Sequence, residues 1–587
     1  MHYYFIVLNA SLLLLTASIS WRGDGEGLAV NTIDKEDNIS RVRMYNQQLE
    51  LISTARNVAD GPASVMRGIG QVVSYATNGS YIAVCQQQRG AGNSATTAST
   101  SAASPVRTGV AAPQKLQVAL VERNGLRHGD FDLQLPGVPA GYDRWQECSL
   151  HWDLPTTLIA VGMRAVRDTE SFDQLNASKA AGRPGLLQVY YRANYHWYLK
   201  QQWRGEDLAF LGFDAEQVNR MYLSQTQMTQ VEPHTMQRVP LLRVVEFTWD
   251  IVSSLSPDST VAVVDGTKLL LTPLGINNIP PPMCKHTVSI TQQNESVESD
   301  LPVHCTRAAC FWQPHSSAAP IIDASNDQQH AWGYAALADN NSSLILLRGD
   351  ATGAVLSQQQ VHLDAVYKNL YVDQIAFRGI VATQQDEHLV VTLLGSKMVP
   401  LAVPDRLGRA FEEPNYEATE RLVVVRLCWD ASSNAFVLAE PTEQRGVKLP
   451  AGCATRLCAV PHDPLSIAVG VQRIDGADFE INKVCLETLA VEQIASLPEL
   501  CTHLSLITSA DSEFAPEDTP NAATNEVLAV NGRHYAAMAL SQRNRLYCGE
   551  SLVASGVSSF VYNESFAVLM YATLGTRPHM HFCSLQR

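Results

Sequence analysis

The residues in this sequence best suited to contact another molecule form the aromatic run Asn194-Tyr195-His196-Trp197-Tyr198-Leu199-Lys200. Aromatic rings beside a lysine can stack on nucleic-acid bases or anchor a protein partner. The other interpretation is a β-strand whose alternate aromatic side chains pack between neighbouring sheets. With both interpretations open, the candidate partner-contact residues are Tyr195, His196, Trp197, Tyr198 and Lys200.

Motifs that position phosphates, hydrolytic nucleophiles or catalytic zinc are missing from the sequence. There is no GxxxxGK[ST], no GxGxxG after a predicted strand, no GxSxG and no HExxH. His151 stands directly before the Trp152-Asp153 pair, where Asp153 could orient it as a base, but we interpret it as a structural position in a blade. We therefore predict a protein that is not an enzyme, with no catalytic residue, cofactor or metal site.

The charge balance excludes a surface that is basic throughout. The 587 residues include 43 Lys+Arg and 58 Asp+Glu, which gives a net charge of −15. Nucleic acids and anionic membranes need clustered basic residues, so only a local patch remains open. Near the C-terminal end, such a patch could form from Arg533, Arg543, Arg545, Arg577 and His579. The simpler interpretation is that these residues lie on a solvated loop face.

The 12 cysteines are too sparse for a disulfide framework. The closest pairs, Cys305/Cys310 and Cys453/Cys458, lack the CxxC spacing and the histidine partners of a zinc site. We predict that the cysteines are buried, reduced thiols.

The elements that must position these residues are strands. Short runs of Val, Ile, Leu, Tyr and Ala recur between Gly, Asp, Asn and Pro, without sustained helical spacing. The first half repeats one unit, in which an aromatic residue precedes a polar turn and an apolar strand. The unit appears as WRGDGEGLAV (21–30), YATNGSYIAV (75–84), WDLPTTLIAV (152–161) and, more weakly, FDAEQVNRMYL (213–223).

Each repeat predicts a four-stranded sheet, because a further alternating strand follows each unit. Gly23-Asp24-Gly25 and Asn78-Gly79 supply the left-handed positions that tight hairpins need. Such sheets, repeated about every 40–45 residues, are typical of a β-propeller. The extra spacing comes from insertions, of which the clearest is the Ala-, Ser- and Thr-rich loop 89–114, and the prolines at 280–282 predict a domain boundary near residue 290.

Several segments resemble, in order, the N-terminal region of the Elongator complex protein 1 family, the large scaffold subunits of Elongator. NGLRHG (124–129) and NYHWYLK (194–200) carry the most specific likeness. The resembling segments are ISWRGDGEGLAV (19–30), VALVERNGLRHGDFDLQLP (118–136), ANYHWYLKQ (193–201), TVAVVDGTKLLLT (260–272) and PPPMC (280–284).

The resemblance implies an all-β fold of two consecutive WD40-type β-propellers. It also implies a cytoplasmic non-catalytic scaffold, with the nucleus as a second compartment. The scaffold is needed for wobble-uridine (U34) modification of tRNA, such as 5-methoxycarbonylmethyl- and 5-carbamoylmethyl-uridine formation. The implied partners are the other Elongator subunits, including the catalytic acetyltransferase-like subunit and the second WD40 subunit. The implied contact with tRNA is indirect, and the family's homodimer forms through a C-terminal region not matched here.

Against the family pattern, the first propeller is expected to be incomplete. The expected domains are an apolar N-terminal segment (1–20), the C-terminal blades of a first propeller (21–290) and a second propeller (291–587). Residues 3–15, YYFIVLNASLLLL, read as a signal peptide when taken alone, but no Lys or Arg precedes Arg22 and Asn9 interrupts the run. A misassigned start is the expected explanation.

Two other functions stay open at this stage. A secreted or membrane-delivered propeller that binds an extracellular protein is the alternative, based on residues 3–20 and on sequons such as Asn38-Ile-Ser and Asn176-Ala-Ser. A propeller enzyme would need charged residues from several blades at its central channel. No paired carboxylates or histidine cluster stand out in the sequence for that role.

Overall fold

The structure is a computed structural model of the chain. It describes residues 17–34, 36–37, 39–56, 66–87, 115–168, 182–214, 220–232, 235–246, 254–255, 260–273, 279, 282–292, 301–302, 305–310, 330–338, 343–350, 355–362, 370–382, 387–404, 410–430, 435–438, 446–448, 452–460, 466–473, 479–485, 488–499, 501–509, 528–530, 533–541, 543–549, 551–563, 568–573 and 579–584. Every named element among them is a β-strand. A search of the described residues finds no candidate for a membrane-spanning helix. The predicted loop 89–114 and residues 1–16 of the apolar N-terminal segment lie outside this description.

The chain divides into two compact units. The first unit is Met1–Ile251 together with Asp265–Thr267, and the second is Val252–Val264 together with Lys268–Arg587. We describe each unit by itself.

The described part of the first unit contains three antiparallel sheets. Sheet one has β1 (Ser18–Trp21), β2 (Gly27–Ile33), β3 (Ser40–Asn46) and β4 (Leu51–Thr54). Sheet two has β5 (Ile69–Tyr75), β6 (Ile82–Gln87), β7 (Leu116–Val121) and β8 (Arg127–Asp132). Sheet three is six-stranded, with β9 (Arg144–Trp152), β10 (Leu158–Val166), β11 (Pro184–Ala193), β12 (His196–Phe213), β13 (Arg220–Glu232) and β14 (Thr235–Glu246).

The second unit continues with sheets of the same kind. Its first sheet has β15 (Ser254–Leu255), β16 (Thr260–Asp265), β17 (Lys268–Pro273) and β18 (His286–Ser289), and a pair follows with β19 (Thr291–Gln292) and β20 (Leu301–Pro302). The next two sheets have β21 (Cys305–Cys310), β22 (His330–Ala338), β23 (Ser343–Asp350) and β24 (Val355–His362), then β25 (Leu370–Ala382), β26 (Glu387–Pro404), β27 (Ala410–Asp430), β28 (Ala435–Leu438) and β29 (Gly446–Lys448). The last three sheets have β30 (Gly452–Ala459), β31 (Ser466–Arg473), β32 (Phe479–Cys485) and β33 (Val491–Leu497), then β34 (Cys501–Ser509), β35 (Leu528–Val530), β36 (Arg533–Ser541), β37 (Arg545–Cys548) and β38 (Ser551–Ser555), then β39 (Val557–Asn563), β40 (Val568–Thr573) and β41 (Met580–Ser584).

Successive sheets pack through their first strands. In the first unit β1 contacts β5 and β5 contacts β9. In the second unit the corresponding series is β15, β21, β25, β30, β34 and β39, each in contact with the next. Consecutive antiparallel meanders that meet at their first strands have the arrangement of β-propeller blades. The predicted all-β propeller fold is therefore confirmed in its topology.

Three copies of the repeated sequence unit form the first hairpins of the three sheets in the first unit, and the weaker copy at 213–223 runs from β12 to β13. Trp21, Tyr75 and Trp152 end β1, β5 and β9, and the polar turn then leads into the second strand. The predicted left-handed turn positions are confirmed at Gly25, with φ of 76°, and at Gly79, with φ of 74°. The aromatic residue therefore marks where a first strand ends.

Polar side chains join the first two sheets where no strand ladder runs. The hydroxyl of Ser18 accepts a hydrogen bond from the backbone N–H of Val73 at 3.1 Å, and that of Ser20 accepts one from Tyr75 at 2.8 Å. These bonds satisfy backbone donors of β5 that have no partner strand on that side. An apolar cluster that includes the buried Met44 fills the space between the two sheets.

The described cysteines form no disulfide. The prediction of buried thiols is confirmed for Cys85 and Cys501. It is wrong for Cys148, which is exposed. The pairing of β9 with β10 shifts between Gly162/Ser149 and Met163/Glu147, so Cys148 is the extra residue of a β-bulge, and a bulge turns a side chain away from the regular alternation.

Candidate functional site

The predicted contact residues begin at a two-residue hairpin turn. β11 and β12 pair up to Ala193 and His196, and the residues between them are Asn194 and Tyr195. Their φ angles are 52° and 61°, so both lie in the left-handed region, as in a type I′ turn. The side chain of Tyr195 is 99% exposed. An exposed aromatic residue in the left-handed region is uncommon, and strained loop positions concentrate at functional sites.

Below the turn, His196 is held by a buried carboxylate. Nε2 of His196 lies 2.9 Å from Oδ2 of Asp265, and the backbone N–H of Leu199 donates to Oδ1 of the same carboxylate at 3.0 Å. The backbone N–H of Gly266 donates to the carbonyl oxygen of Leu199 at 2.9 Å. Asp265 therefore ties the turn at residues 265–267 to β12.

The pKa of Asp265 reflects this setting. Burial raises the pKa of the carboxyl group, but the hydrogen bonds from His196 and Leu199 and the attraction to His196 and Lys200 outweigh burial. The pKa of Asp265 consequently lies below its ordinary value. The carboxylate is charged at neutral pH and serves as an acceptor.

A chain of hydrogen-bonded side chains extends from Asp265 into sheet three. Nε2 of Gln134 donates to Oδ1 of Asp265 at 2.8 Å, and Oε1 of Gln134 accepts from the backbone N–H of Thr267 at 3.1 Å. The backbone N–H of Gln134 donates to the hydroxyl of Tyr190 at 2.9 Å, and that hydroxyl donates to Gln188 at 2.9 Å. Because every member has a partner, the network fixes the base of the hairpin in one arrangement.

The other three predicted contact residues are buried. Trp197 is 8% exposed, Tyr198 is 0% exposed and Lys200 is 3% exposed. The Trp197 ring stacks on Phe131 of β8 with centroids 4.8 Å apart. Trp197 therefore packs between neighbouring sheets. Of the predicted contact residues, solvent reaches Tyr195 and His196.

Arg192, on the β11 side of the turn, lies between two aromatic rings. Its guanidinium carbon is 5.3 Å from the ring centroid of Tyr81 and 5.9 Å from that of Trp197. Both distances fit a cation–π contact. Since Tyr81 belongs to the second sheet and Trp197 to the third, the arginine side chain bridges two blades.

Tyr81 in turn contacts His128 of the NGLRHG segment. Their ring centroids are 4.5 Å apart, and the Tyr81 hydroxyl lies 3.1 Å from Nε2 of His128. Nδ1 of His128 lies 3.1 Å from Oε1 of Glu122. We call Tyr81, His128, Arg192 and Tyr195 the hairpin surface. It brings together the NGLRHG and NYHWYLK segments, which are far apart in the sequence.

Sequence reasoning missed Arg192, Tyr81 and Asp265. Arg192 stands two residues before the aromatic run, and one signal for it was the arginine among aromatic residues in YYRANYHW (190–197). No local signal assigned Tyr81 or Asp265 to the site, because their partners lie 47 and 69 residues away.

The residues weighed for catalysis have structural contacts. The carboxylate of Asp153 accepts from the backbone N–H groups of Thr157 and Leu158, each at 2.7 Å, and so closes the β9–β10 turn. The ring of His151 packs on Phe210 with centroids 4.9 Å apart, and burial lowers the pKa of this histidine. The interpretation of His151 as structural fits this packing.

The basic residues near the C-terminal end are only partly described. Arg543 is exposed, and Arg545 is paired with Glu499 at 2.5 Å. The side chain of Arg533 and all of Arg577 lie outside the described residues, so the predicted patch stays a prediction. In the described part of the chain, no group of three or more His, Cys, Asp or Glu residues could hold a metal ion.

Comparison with known proteins gives two family matches. The model described as "ELP1 first N-terminal beta-propeller" matches residues 10–216, and the model described as "ELP1 N-terminal second beta-propeller" matches residues 263–586. The compact units divide near Ile251. The predicted boundary near residue 290 stays a prediction.

Among curated proteins, the chain is similar to Elongator complex protein 1 of Rattus norvegicus, at 23% identity over 96% of this chain and 35% of the relative. It is also similar to Elongator complex protein 1 of Schizosaccharomyces pombe, at 26% identity over 46% of this chain and 16% of the relative. The chain thus spans about a third or less of the length of these relatives. Among solved structures, the β-propeller domain of the Trilobed protease from Pyrococcus furiosus has a TM-score of 0.23 at 7% identity, over 72% of this chain and 97% of that chain, which is too low to bear on fold or function.

Proposed function

The chain belongs to the family of Elongator complex protein 1, and from this premise we propose that it is a non-catalytic scaffold subunit of an Elongator complex. The observation that carries the proposal is the pair of family matches, which follow one another as first and second propeller along the chain. As a scaffold, the protein holds other subunits in place by its propeller surfaces.

The structural roles of two buried carboxylates support the proposed non-catalytic role. Asp153 closes a turn, and Asp265 holds the base of a hairpin. Groups committed to backbone donors in this way are unsuited to proton transfer, which needs a carboxyl group that faces the substrate.

The complex in which we place this subunit acts on tRNA, at the wobble uridine U34. The reaction products are side chains such as 5-methoxycarbonylmethyl- and 5-carbamoylmethyl-uridine. We propose an acetyltransferase-like catalytic subunit and a second WD40 subunit as protein partners, and an indirect contact with tRNA. We also propose a cytoplasmic location, with the nucleus as a second compartment.

Deletion of the gene tests the proposal. Nucleosides from purified tRNA are quantified by mass spectrometry in the parent, in the deletion strain and in the strain complemented with the gene. We expect the U34 side-chain modifications to disappear on deletion and to return on complementation, while unrelated modified nucleosides stay constant. Unchanged U34 modification in the deletion strain would contradict the proposal.

Two measurements test the location: the intact mass of the protein purified from its own cells, and its distribution among cell fractions. We expect no glycan mass on the chain and a signal in the cytoplasmic fraction. Glycosylation at Asn38 or Asn176, together with removal of the first ~20 residues, would instead favour the secreted alternative.

A further inference from the structure

Arg192 is fixed in position by its backbone and its ring contacts. Its backbone N–H donates to the carbonyl oxygen of Thr157 at 2.9 Å. Its guanidinium lies over Tyr81 and Trp197, at 5.3 and 5.9 Å from the centroids. A guanidinium held by its faces keeps its N–H donors at the edge of the plane, where an acceptor can approach.

Among the residues that the structure describes, the Arg192 side chain makes no hydrogen bond or ion pair, so those donors have no acceptor there. The carboxylate of Glu122 lies 3.1 Å from Nδ1 of His128 and accepts a hydrogen bond from Asn124 at 3.0 Å. Arg167 offers a comparison within the same unit. It also lies over a tyrosine, at 5.3 Å from the Tyr142 ring, but its Nε donates to the carbonyl oxygen of Gly141 at 2.7 Å.

We infer that Arg192 binds an aspartate or glutamate side chain of a partner protein, with the exposed ring of Tyr195 packing beside it. A planar guanidinium matches a carboxylate with two parallel hydrogen bonds. Arginine and tyrosine are also the residue types that most often carry the binding energy of protein interfaces. This inference rests on the proposed scaffold function and names the chemistry of one of its contacts.

The charges around Arg192 favour a protein over RNA. Sites for a nucleic-acid backbone need several basic residues, because each phosphate carries its own charge. The carboxylate of Glu122 contacts His128 of the hairpin surface at 3.1 Å, and on β8 the charge of Arg127 is paired with Asp130 at 2.5 Å. A single arginine among aromatic rings, with no acceptor for its donors in the described part of the chain, matches the charge of one carboxylate.

The test uses the full chain in its own cells, with a photo-reactive benzoylphenylalanine in place of Tyr195. Cross-linked peptides and nucleotides are identified by mass spectrometry. The measurement is repeated with Arg192→Glu, and with Arg192→Lys, which keeps the charge but loses the paired donors. Arg167→Lys is the matched control, and thermal unfolding shows whether each variant is folded.

We expect a protein cross-link next to an acidic residue. The yield should fall about tenfold or more in Arg192→Glu, as for a lost charge pair at an interface. It should also fall in Arg192→Lys, because the paired donors are lost, and should stay unchanged in the control. Replacing the partner's acidic residue by arginine should restore the cross-link with Arg192→Glu. Cross-linking to RNA, no cross-link, an unchanged yield in the folded Arg192→Lys variant, or no recovery with the exchanged charges would overturn the inference.

The outcome is separable from that of the proposed function. If the Arg192 variants cross-link like the original protein while gene deletion still removes U34 modification, this inference fails and the proposed function stands. If deletion leaves U34 modification unchanged, the proposed function fails whatever the cross-links show.

Discussion

His196 and Asp265 are 69 residues apart in the sequence, yet Nε2 of the histidine lies 2.9 Å from Oδ2 of the carboxylate. This contact sets the base of the hairpin whose tip carries the exposed Tyr195. The same carboxylate accepts from Gln134 at 2.8 Å and from the backbone of Leu199 at 3.0 Å. One buried acidic side chain therefore orients the candidate contact surface from beneath.

Asp265→Ala should loosen β12 locally. The substitution leaves the donors of Gln134 and Leu199 buried without an acceptor, so we expect the local free energy of opening to fall by about 2–4 kcal/mol. Hydrogen exchange of peptides that cover β12 measures this change. Asp168→Ala is the control, because Asp168 is 70% exposed and pairs with Arg144 at the surface, where we expect a change within about 0.5 kcal/mol. Equal protection of β12 in both variants would contradict the assigned role.

Asp265 also predicts a direction of pH dependence. Its pKa in the folded protein lies below the ordinary value. The stabilisation by this group is therefore present above the ordinary carboxyl pKa and is lost as the pH falls through the lowered pKa. Protection of β12 should decrease in acid in the original protein more than in Asp265→Ala.

Glu147 of β9 contacts β5 of the second sheet and predicts the opposite dependence of stability on pH. Burial raises the pKa of its carboxyl group, against the hydrogen bond from the backbone N–H of Gln71 at 2.7 Å. The stabilisation is therefore full below the ordinary carboxyl pKa and is lost as the pH rises through the raised pKa. Glu147→Gln keeps the acceptor and should remove this dependence in thermal unfolding between acid and neutral pH. Glu26→Gln, at a side chain that is 70% exposed, should leave the dependence in place.

Two glycines of the NGLRHG segment provide a matched pair. Gly125 has φ of 85°, and a Cβ atom there would lie 2.4 Å from the carbonyl oxygen of Thr54. Gly125→Ala should therefore lower the stability of the first unit by about 1–3 kcal/mol. Gly129 has no atom within 4 Å of a built Cβ, so Gly129→Ala should be nearly neutral. Similar unfolding midpoints for the two variants would show that the close approach at Gly125 is unimportant.

Tyr195→Gly separates folding from binding. Glycine adopts the left-handed conformation at this turn without steric strain, so stability should stay within about 1 kcal/mol of the original value. If Tyr195 packs against a partner, co-purification of the other subunits should fall all the same. Asn194→Gly, at the neighbouring left-handed position with φ of 52°, is the control and should leave co-purification unchanged. A loss in both variants would point to turn geometry instead of the tyrosine ring.

Much of the fold could be predicted because its signals are local. The aromatic residue, polar turn and apolar strand of each unit lie within about ten residues, and Gly25 and Gly79 adopt the left-handed φ expected of them. Alternation of side chains likewise predicted strands around Trp197. These features depend on backbone sterics and on burial of one strand face, which neighbouring residues determine.

The candidate site could be predicted only in part, because its geometry depends on contacts between blades. The sequence alone identified an aromatic run, with His196 and Lys200, as the candidate contact segment. Only the tertiary structure decided that Lys200 is buried, that Asp265 holds His196, and that Arg192 lies between Tyr81 and Trp197. The physical reason is that strand alternation gives the face of a side chain, whereas the packing of one sheet on the next decides which faces water reaches and which distant groups meet.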